Sequence, residues 1–487
     1  MKWLSGDGSQ MKDRRRLVAI DLGAESCRVS LLHWRDDHAE ILMVHRFGNG
    51  PVDSAAGLHW DLERICRELE VGLRKCAELV PAGIDSIGVT GWGVDIVRLD
   101  DAGKPLRQPY CYREPRNALA MEALHKVIPG DELYARNGVQ IQPINTIYQL
   151  YADKLAGIPA SAKWLNLPEY ILHWLGGPQV GEYTNATHTG LVDPATRQWA
   201  DDLFTTLGLD RGAAPALVSP GTSLGAARGG ALAGISQFAS TKLIAPACHD
   251  TASAIAGIAA RPGGWAYISS GTWSLVGMLT PESHRTPKAY ELGFTNLGAV
   301  GGNVLFHRGM AGMWLLRQCM NTWEHDRGWE VTELIREARK APAPDALLDL
   351  DDPSFVTPGD MPSRINAQRE RHGLKPLPAG WAEAPRYANL IFHSLASRYA
   401  TLLKEIEELT GTRPKRIRVV GGGNRNEYLN ALTVEAAGVP VERCSVESST
   451  LGNFAVQWAR LDQDHDDVSA ARIAERAQDL SAFPLRS

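Results

Sequence analysis

Cysteine is scarce in this chain of 487 residues, and its seven cysteines are scattered from position 27 to position 444. Their number is odd, and no two of them form a CxxC pair. A disulfide framework needs an even, closely spaced set, and a cysteine zinc site needs such pairs. No HExxH sequence occurs, and the histidines show no metal-ligand spacing. The pattern indicates reduced thiols and argues against both a disulfide scaffold and a zinc site.

Long apolar runs and an excess of basic charge are also missing. No stretch approaches the ~18 apolar residues of a membrane span, and the N-terminal MKWLSGDGSQMKDRRR lacks the apolar segment of a signal peptide. The 51 basic and 56 acidic residues are intermixed, with a net charge of −5, whereas nucleic-acid binding needs a concentrated basic face. We therefore expect a cytoplasmic protein that binds neither membranes nor nucleic acid, with residues 1–14 as a flexible leader.

The sequence does contain an alternation of strand and helix patterns. RLVAIDLG (16–23) and CRVSLLHW (27–34) predict a β-hairpin, and GWAYISSGTWSLVGML (264–279) repeats the order of strand, glycine turn and strand. In RIRVVGGGNRNEYLN (416–430) a buried strand and three glycines precede a predicted helix. Strands that alternate with helices predict an α/β fold.

Length and local signals refine this prediction. A chain of 487 residues is long enough for two large domains, and we place their boundary near residues 256–264. Residues 58–80 have apolar side chains at helical spacing, with Asp61 as the predicted N-cap, and a later helix is predicted to open near Asn426. The proline-rich segment 340–385 is predicted to be irregular.

Each of the three glycine turns follows a strand and exposes several backbone N–H groups at one place. Such groups suit phosphate oxygens. A plain hairpin with glycine at positive φ is the alternative, and for any single turn it is the favoured one. Three such turns in one chain, two of them alike, favour a nucleotide. Walker A, HRD and DFG sequences are absent, which argues against P-loop and protein-kinase sites.

Two carboxylates stand at strand ends. Asp250 follows the apolar run KLIAPACH (242–249) and opens a helix rich in small residues. It is either an N-cap or a catalytic base kept ionised by the helix N-terminus. Asp21 beside the first turn is either a turn residue or a water-mediated Mg²⁺ contact. Trp92, within TGWGVD, is either a sugar platform or a core residue. Phosphoryl transfer to an alcohol needs such a base, Mg²⁺ and backbone donors.

Taken in order, several motifs resemble the FGGY family of carbohydrate kinases from residue 16 to about residue 465. They are AIDLGAESCRVSLL, TGWGVDIVRLDDAGKPL, YREPR, PINTIYQL, EYTNATHTGLVD, HDTASAIAG, YISSGTWSLVG, GMWLLRQ, VVGGGNRNEYLN and VESSTLGNFAVQ. The resemblance implies two actin-like, RNase-H-type α/β domains around a cleft, with sugar in residues 15–257 and nucleotide in residues 258–487. It implies ATP- and Mg²⁺-dependent phosphorylation of a ketose, for which TGWGVD, HDTASA and SSGTWSLVG favour L-rhamnulose.

The resemblance also implies a role for each matching position. Asp250 would accept the proton of the sugar hydroxyl, and Asp21 would contact Mg²⁺. The implied sugar-contacting positions are Trp92, Gly93, His249, Thr251 and Gly309. The implied ATP-binding positions are Ala24, Glu25, Ser26, Cys27, Arg28, Thr272, Arg317 and Gly422.

Three positions depart from the family pattern. Cys27 stands where glycine is usual and is expected to crowd the first phosphate turn. Gly309 replaces a sugar-contacting Asn, and Arg317 replaces a Gln near ATP. A lost sugar hydrogen bond changes substrate choice strongly, so L-fuculose, another ketose or a polyol is an alternative substrate. A non-catalytic sugar- or nucleotide-binding protein on the same fold is the more distant alternative. The sequence predicts no oligomeric state.

Overall fold

The computed structural model describes residues 14–35, 38–159, 162–323, 329–463, 465 and 468–486. The predicted leader, residues 1–14, lies outside these ranges except for its last residue. No helix in the described ranges combines the length and apolar composition that crossing a membrane requires.

The first sheet is built around the hairpin predicted at the start of the chain, which the structure confirms. Leu17–Leu22 pairs with Ser26–Arg35 in antiparallel fashion and with Ser86–Gly91 in parallel. All six residues of Leu17–Leu22 are buried, as expected for a central strand covered on both faces. In spatial order the seven strands are Ser223–Ala226, Lys242–Ile244, Ser86–Gly91, Leu17–Leu22, Ser26–Arg35, His38–Gly48 and Leu485–Arg486.

The second sheet repeats this central arrangement. Trp265–Ser270 pairs antiparallel with Trp273–Thr280 and parallel with Arg416–Val420. The prediction of a second, similar hairpin is therefore confirmed. In spatial order the six strands are Thr295–Gly298, Val304–Ala311, Trp273–Thr280, Trp265–Ser270, Arg416–Val420 and Val441–Arg443.

Helices and short strand pairs complete the described structure. The α-helices are Leu62–Leu79, Arg116–Leu124, Gly130–Asn137, Thr146–Leu155, Leu167–Trp174, Tyr183–Thr187, Asp201–Leu207, Asp250–Ala256, Pro287–Glu291, Trp314–Trp323, Val331–Ala338, Met361–Arg371, Ala384–Thr410, Glu427–Ala437, Ser448–Leu461 and Ala470–Ser481. Short 3-10 helices are Arg211–Ala213, Gly230–Leu232, Ser236–Phe238, Val300–Gly302, Pro353–Val356, Trp381–Glu383 and Gly422–Arg425. The small pairs are Val52–Ser54 with Gly57–His59, Ile96–Leu99 with Lys163–Asn166, Val180–Glu182 with Ala216–Val218, and Val192–Asp193 with Gln198–Trp199.

The N-cap predicted at Asp61 and the helix start predicted near Asn426 are both confirmed. The Asp61 side chain accepts a 2.9 Å hydrogen bond from the backbone N–H of Arg64. The Asn426 side chain accepts one of 3.0 Å from the N–H of Leu429. These bonds satisfy N–H groups that a helix N-terminus otherwise leaves without partners.

The prediction that residues 340–385 are irregular is partly wrong. This segment contains the helix Met361–Arg371, whose start is capped by Asp360 through a 3.1 Å bond from the N–H of Ser363. Met361 and Ile365 are buried in the core of the second sheet. Proline at the second helical position is compatible with a helix start, so the proline content was misleading here.

Two helices cross closely where the sheets meet. We call Asp250–Ala256 the cleft helix and Ser448–Leu461 the linking helix. A Cβ on Gly452 would lie 1.8 Å from the Ser253 carbonyl oxygen, and one on Gly257 would lie 2.2 Å from that of Ser448. The absence of side chains at Gly257 and Gly452 therefore permits the two helices to pack this closely.

The linking helix also reaches the first sheet. The Gln457 side chain donates to the Val18 carbonyl at 3.0 Å and accepts from the Ser86 hydroxyl at 2.7 Å. Its apolar residues share a third core with both sheets, for example Ile255 from the cleft helix and Tyr267 from the second sheet. This core holds the cleft helix between the two sheets. A domain boundary between residues 257 and 258 stays a prediction.

Candidate active site

Asp250 lies where the edge of the first sheet meets the cleft helix. The strand Lys242–Ile244 continues as extended chain to His249, which forms a bridge with Gly91. His249 occupies the N-cap position of the cleft helix, and Asp250 is the first helical residue. The N-cap alternative for Asp250 is therefore wrong. Its carboxylate accepts a 3.2 Å bond from the Thr251 hydroxyl and is 38% exposed.

Asp21 lies close by, because the parallel strands that lead to Asp21, Gly91 and His249 have their carboxyl ends side by side. Its Oδ2 atom is 3.0 Å from Arg28 Nε and accepts a 2.6 Å hydrogen bond from the Ser449 hydroxyl. The Arg28 guanidinium also pairs with the carboxylate of Glu447. Desolvation by the surrounding protein atoms, and after it the nearby charge of Asp21, raise the pKa of Asp250 to about 7. Such a pKa suits a general base near neutral pH.

The first hairpin turn carries five of the predicted ATP-binding positions, residues 24–28. Glu25 is exposed at the tip, whereas Cys27 is fully buried. The Cys27 thiol points to the Gly23 carbonyl at 3.6 Å, and burial raises its pKa to about 12. Successive side chains of a strand face opposite sides, so Cys27 enters the core. The expectation that its side chain crowds the phosphate turn is wrong.

Thr272 and Gly422 lie on two turns of the second sheet that contact each other. Gly421 has a φ of 81°, and a Cβ on Gly423 would lie 2.0 Å from the Ser270 Oγ. Nothing lies within 4 Å of the position that a Cβ on Gly422 would take. This glycine turn therefore approaches the second hairpin closely and leaves its own outer surface open.

Arg317 connects the two halves of the predicted nucleotide site. Its guanidinium donates a 2.7 Å hydrogen bond to Glu25 on the first hairpin. The helix that carries Arg317, Trp314–Trp323, begins beside Thr272, whose carbonyl accepts from the N–H of Trp314 at 3.1 Å. The structure thus brings predicted ATP-binding positions of both domains to one place.

Trp92 is a core residue rather than an open sugar platform. It is 7% exposed, and its ring centroid lies 4.5 Å from that of Trp60. Both indole N–H groups donate to one oxygen of Asp95, at 2.9 Å from Trp92 and 2.5 Å from Trp60. The other oxygen accepts from Gln149 at 3.0 Å. Burial raises the pKa of Asp95 to about 6.

His249 and Thr251 both lie within 3.5 Å of the Asp250 carboxylate, and Gly93 lies against His188. A Cβ on Gly93 would lie 2.2 Å from Nδ1 of His188. The His188 ring lies 4.7 Å from that of His249, and His249 Nε2 is 3.5 Å from the carboxylate of Asp250. Gly309 belongs to the strand Val304–Ala311 of the second sheet, opposite Leu275.

Sequence reasoning missed the group that holds the loop before Asp250. The buried Glu182 carboxylate accepts the N–H of Cys248 at 2.8 Å and the hydroxyl of Thr184 at 2.5 Å. Burial raises the pKa of Glu182 to about 7, and burial together with Glu182 raises that of Glu169 to about 8. The motif EYTNAT contains Glu182 and Thr184, but nothing in its spacing indicates a contact with a loop 66 residues later.

Matches to family models agree with this arrangement. Residues 16–257 match the N-terminal domain of the FGGY family of carbohydrate kinases, and residues 266–460 match its C-terminal domain. The chain therefore belongs to the FGGY family and is a carbohydrate kinase with two actin-like domains.

Curated relatives narrow the comparison. The chain is 34% identical over 467 residues to the rhamnulokinase of Enterococcus faecalis, covering 94% of this chain and 92% of that protein. It is 36% identical to the rhamnulokinase of Pectobacterium carotovorum subsp. carotovorum, covering 92% and 88%. The rhamnulokinase of Bacteroides thetaiotaomicron is 32% identical, with 96% of each chain covered.

Solved structures share the fold at lower identity. A ligand-bound xylulose kinase from Lactobacillus acidophilus superposes with a TM-score of 0.74 at 16% identity, covering 96% of both chains. A glycerol kinase from Plasmodium falciparum with ADP gives a TM-score of 0.71 at 14% identity, covering 95% of this chain and 92% of that one. At these identities the likeness concerns the fold alone.

Proposed function

We propose that the protein catalyses the ATP-dependent phosphorylation of L-rhamnulose at its 1-hydroxyl. The observation that carries the proposal is the position of Asp250, a half-open carboxylate between the two hairpin-bearing domains. Similarity to rhamnulokinases over nearly the whole chain supports this choice of sugar. The partners are then a small sugar and a nucleotide, and a cytoplasmic location follows from the supply of ATP.

In this reaction Asp250 accepts the proton of the sugar hydroxyl. The hydroxyl oxygen attacks the γ-phosphorus of ATP, and the bond between that phosphorus and the ADP oxygen breaks. Gly93, His249 and Thr251 hold the sugar beside the base. Closure of the cleft excludes water, which would otherwise compete as the acceptor. With a pKa of about 7, the carboxylate is present in useful amounts at neutral pH.

The nucleotide would lie between the two hairpins. The first hairpin turn, residues 24–28, and Thr272 would face the phosphates, and Gly422 would lie against the nucleotide. The ion pair between Glu25 and Arg317 crosses this space, so Arg317 would exchange the carboxylate for a phosphate when ATP binds.

Mg²⁺ fits this site only as part of the nucleotide complex. Among the described residues no group of three or more histidine, cysteine or acidic side chains could hold a metal ion. Mg²⁺ usually keeps several waters and binds through one or two carboxylates and the substrate phosphates. Asp21 would hold it through water beside Arg28, and the ion would neutralise charge on the phosphates.

A panel of ketoses tests the proposal. We expect ADP release in the presence of MgATP to have its highest kcat/KM with L-rhamnulose. A higher kcat/KM with L-fuculose or another ketose would make that sugar the substrate and would leave the assignment as a carbohydrate kinase unchanged. The missing side chain at Gly309 favours this outcome. Absence of ADP release with every ketose and polyol would refute the catalytic proposal and favour a non-catalytic binding protein.

A further inference from the structure

Three histidines from separate segments lie where the two domains face each other. The rings of His188 and His249 are 4.7 Å apart. The strand paired with that of His307 bonds to the residue before His188, through the N–H of Gly298 and the hydroxyl of Thr187. His188 follows the helix Tyr183–Thr187, His249 precedes the cleft helix, and His307 belongs to the second sheet. Burial and the neighbouring rings lower the pKa of all three, so the imidazoles are uncharged at neutral pH. The proposed function uses only His249 and leaves the other two unexplained.

Two glycines make room for this cluster. A Cβ on Gly93 would lie 2.2 Å from Nδ1 of His188. A Cβ on Gly277 would lie 2.3 Å from the Cβ of His307 and 2.8 Å from the Tyr267 hydroxyl. Because Gly277 has no side chain, the Tyr267 hydroxyl reaches across the middle strand to Nδ1 of His307 at 2.9 Å.

The cluster has hydrogen-bonding capacity that the described residues do not use. Nδ1 of His188 and Nδ1 of His249 are buried and have no hydrogen-bond partner among the described residues. His249 as a whole is 4% exposed. Buried polar atoms are normally paired. Tyr267 occupies Nδ1 of His307, which leaves Nε2 for a further partner. A neutral imidazole offers one donor and one acceptor, which matches a hydroxyl group.

The position of the cluster connects it to the reaction. His249 Nε2 lies 3.5 Å from the carboxylate of Asp250. His307 and Gly309 are two residues apart on one strand and therefore share a face. A Cβ on Gly309 would have only Leu275 within 4 Å. His249 thus places the cluster next to the proposed base, and His307 places it next to Gly309, which has no side chain.

We propose that His188 and His307, together with His249, form the subsite that binds hydroxyl groups of the ketose beyond the phosphorylated carbon, and that they determine which ketose is accepted. This inference rests on the proposed function. It assigns to side chains on both domains the sugar hydrogen bonds that position 309 cannot supply.

Deoxyketoses that each lack one hydroxyl provide the test. We expect His188→Ala and His307→Gln to lower kcat/KM for the best ketose by about 10- to 100-fold, the cost of unpaired polar groups. The loss should vanish with the deoxyketose that lacks the partner hydroxyl, and the KM for ATP should stay unchanged. His393→Ala is the matched control, because this half-buried histidine bonds to Tyr428 on the opposite side of the second sheet.

An equal loss with every sugar, or no loss, would overturn the inference. Thermal unfolding of each variant separates misfolding from altered binding. If a histidine variant does not fold, His188→Gln and Tyr267→Phe carry the test. Tyr267→Phe removes only the hydroxyl that bonds to His307. Its loss of kcat/KM should vanish with the same deoxyketose as the loss caused by His307→Gln. Wild-type protein that phosphorylates no ketose refutes the proposed function, whereas ketose-dependent ADP release with histidine-independent selectivity refutes this inference alone.

Discussion

At the scale of single residues, two neighbouring carboxylates differ in exposure and in hydrogen-bond partners. Asp21 is buried, and its Oδ2 is engaged by Arg28 and Ser449. Asp250 is 38% exposed and accepts a hydrogen bond from the hydroxyl of Thr251. Asp250 is therefore the more accessible of the two carboxylates, as the proposed base must be, and desolvation together with the charge of Asp21 raises its pKa.

The pKa of Asp250 predicts the pH dependence of the reaction. The base is protonated and inactive below its pKa of about 7 and ionised above it. We expect kcat/KM for the sugar to fall about tenfold per pH unit below that pKa and to level off above it. Asp21→Asn removes the like charge, so the pH limb should move to lower pH. A flat profile between about pH 6 and pH 8 would contradict the assignment.

Glu182 is predicted to act as a positioning residue, which holds the loop before Asp250 and does not contact the substrate. Because its carboxylate holds the N–H of Cys248, Glu182→Ala should displace Asp250 and lower kcat by about 10- to 100-fold. The KM for ATP should not change, and Glu182→Gln should restore part of the rate. Glu132→Gln serves as the control, because the Glu132 side chain is half exposed. Unchanged kcat in a folded Glu182→Ala variant would rule out this role.

At the scale of secondary-structure elements, the account depends on two similar hairpins and one close helix crossing. The hairpins were predictable because strand alternation and glycine turns are local signals. The helix starts near Asp61 and Asn426 were predictable because polar capping residues are local signals too. The helix Met361–Arg371 was missed because the prolines of the whole segment 340–385 outweighed the buried apolar positions of this helix. The contact of Glu182 with Cys248 was missed because the two residues are 66 positions apart. The contacts of Asp95 with Trp60 and Gln149 are also distant in sequence, and no local pattern records such contacts.

The helix crossing predicts a stability effect. Gly452→Ala places a methyl group 1.8 Å from the Ser253 carbonyl oxygen, so the two helices must separate. We expect the free energy of unfolding to fall by about 1–3 kcal/mol despite the better helix propensity of alanine. Denaturant titration measures it, with Gly50→Ala as control because nothing lies within 4 Å of a Cβ there. Equal stability of the two variants would contradict the close packing.

At the scale of the whole molecule, the chain crosses between its domains more than once. The cleft helix leads from the first sheet to the second, and the linking helix returns to contact Val18 and Ser86. The strand Leu485–Arg486 pairs with the edge of the first sheet. On the cleft side, Glu25 and Arg317 join the domains through an exposed ion pair. Exposed pairs contribute only about 0–1 kcal/mol, so this contact can open.

The Glu25–Arg317 contact predicts an asymmetric effect on nucleotide binding. If Arg317 exchanges Glu25 for a phosphate, Arg317→Gln should raise the KM for ATP by about tenfold. Glu25→Gln should leave that KM unchanged or lower it, because the guanidinium is then unpaired. Steady-state kinetics at saturating sugar measures both variants. A similar rise in both would mean that the ion pair itself, rather than a phosphate contact, supports ATP binding.

The central claim is that Asp250 is the base of the phosphoryl transfer. Asp250→Asn keeps the size of the side chain and removes its basicity. We expect sugar-dependent ADP release to fall by at least about 100-fold, while calorimetric titration gives a Kd for MgATP close to that of the wild type. A variant that binds MgATP and retains the wild-type kcat would contradict the claim.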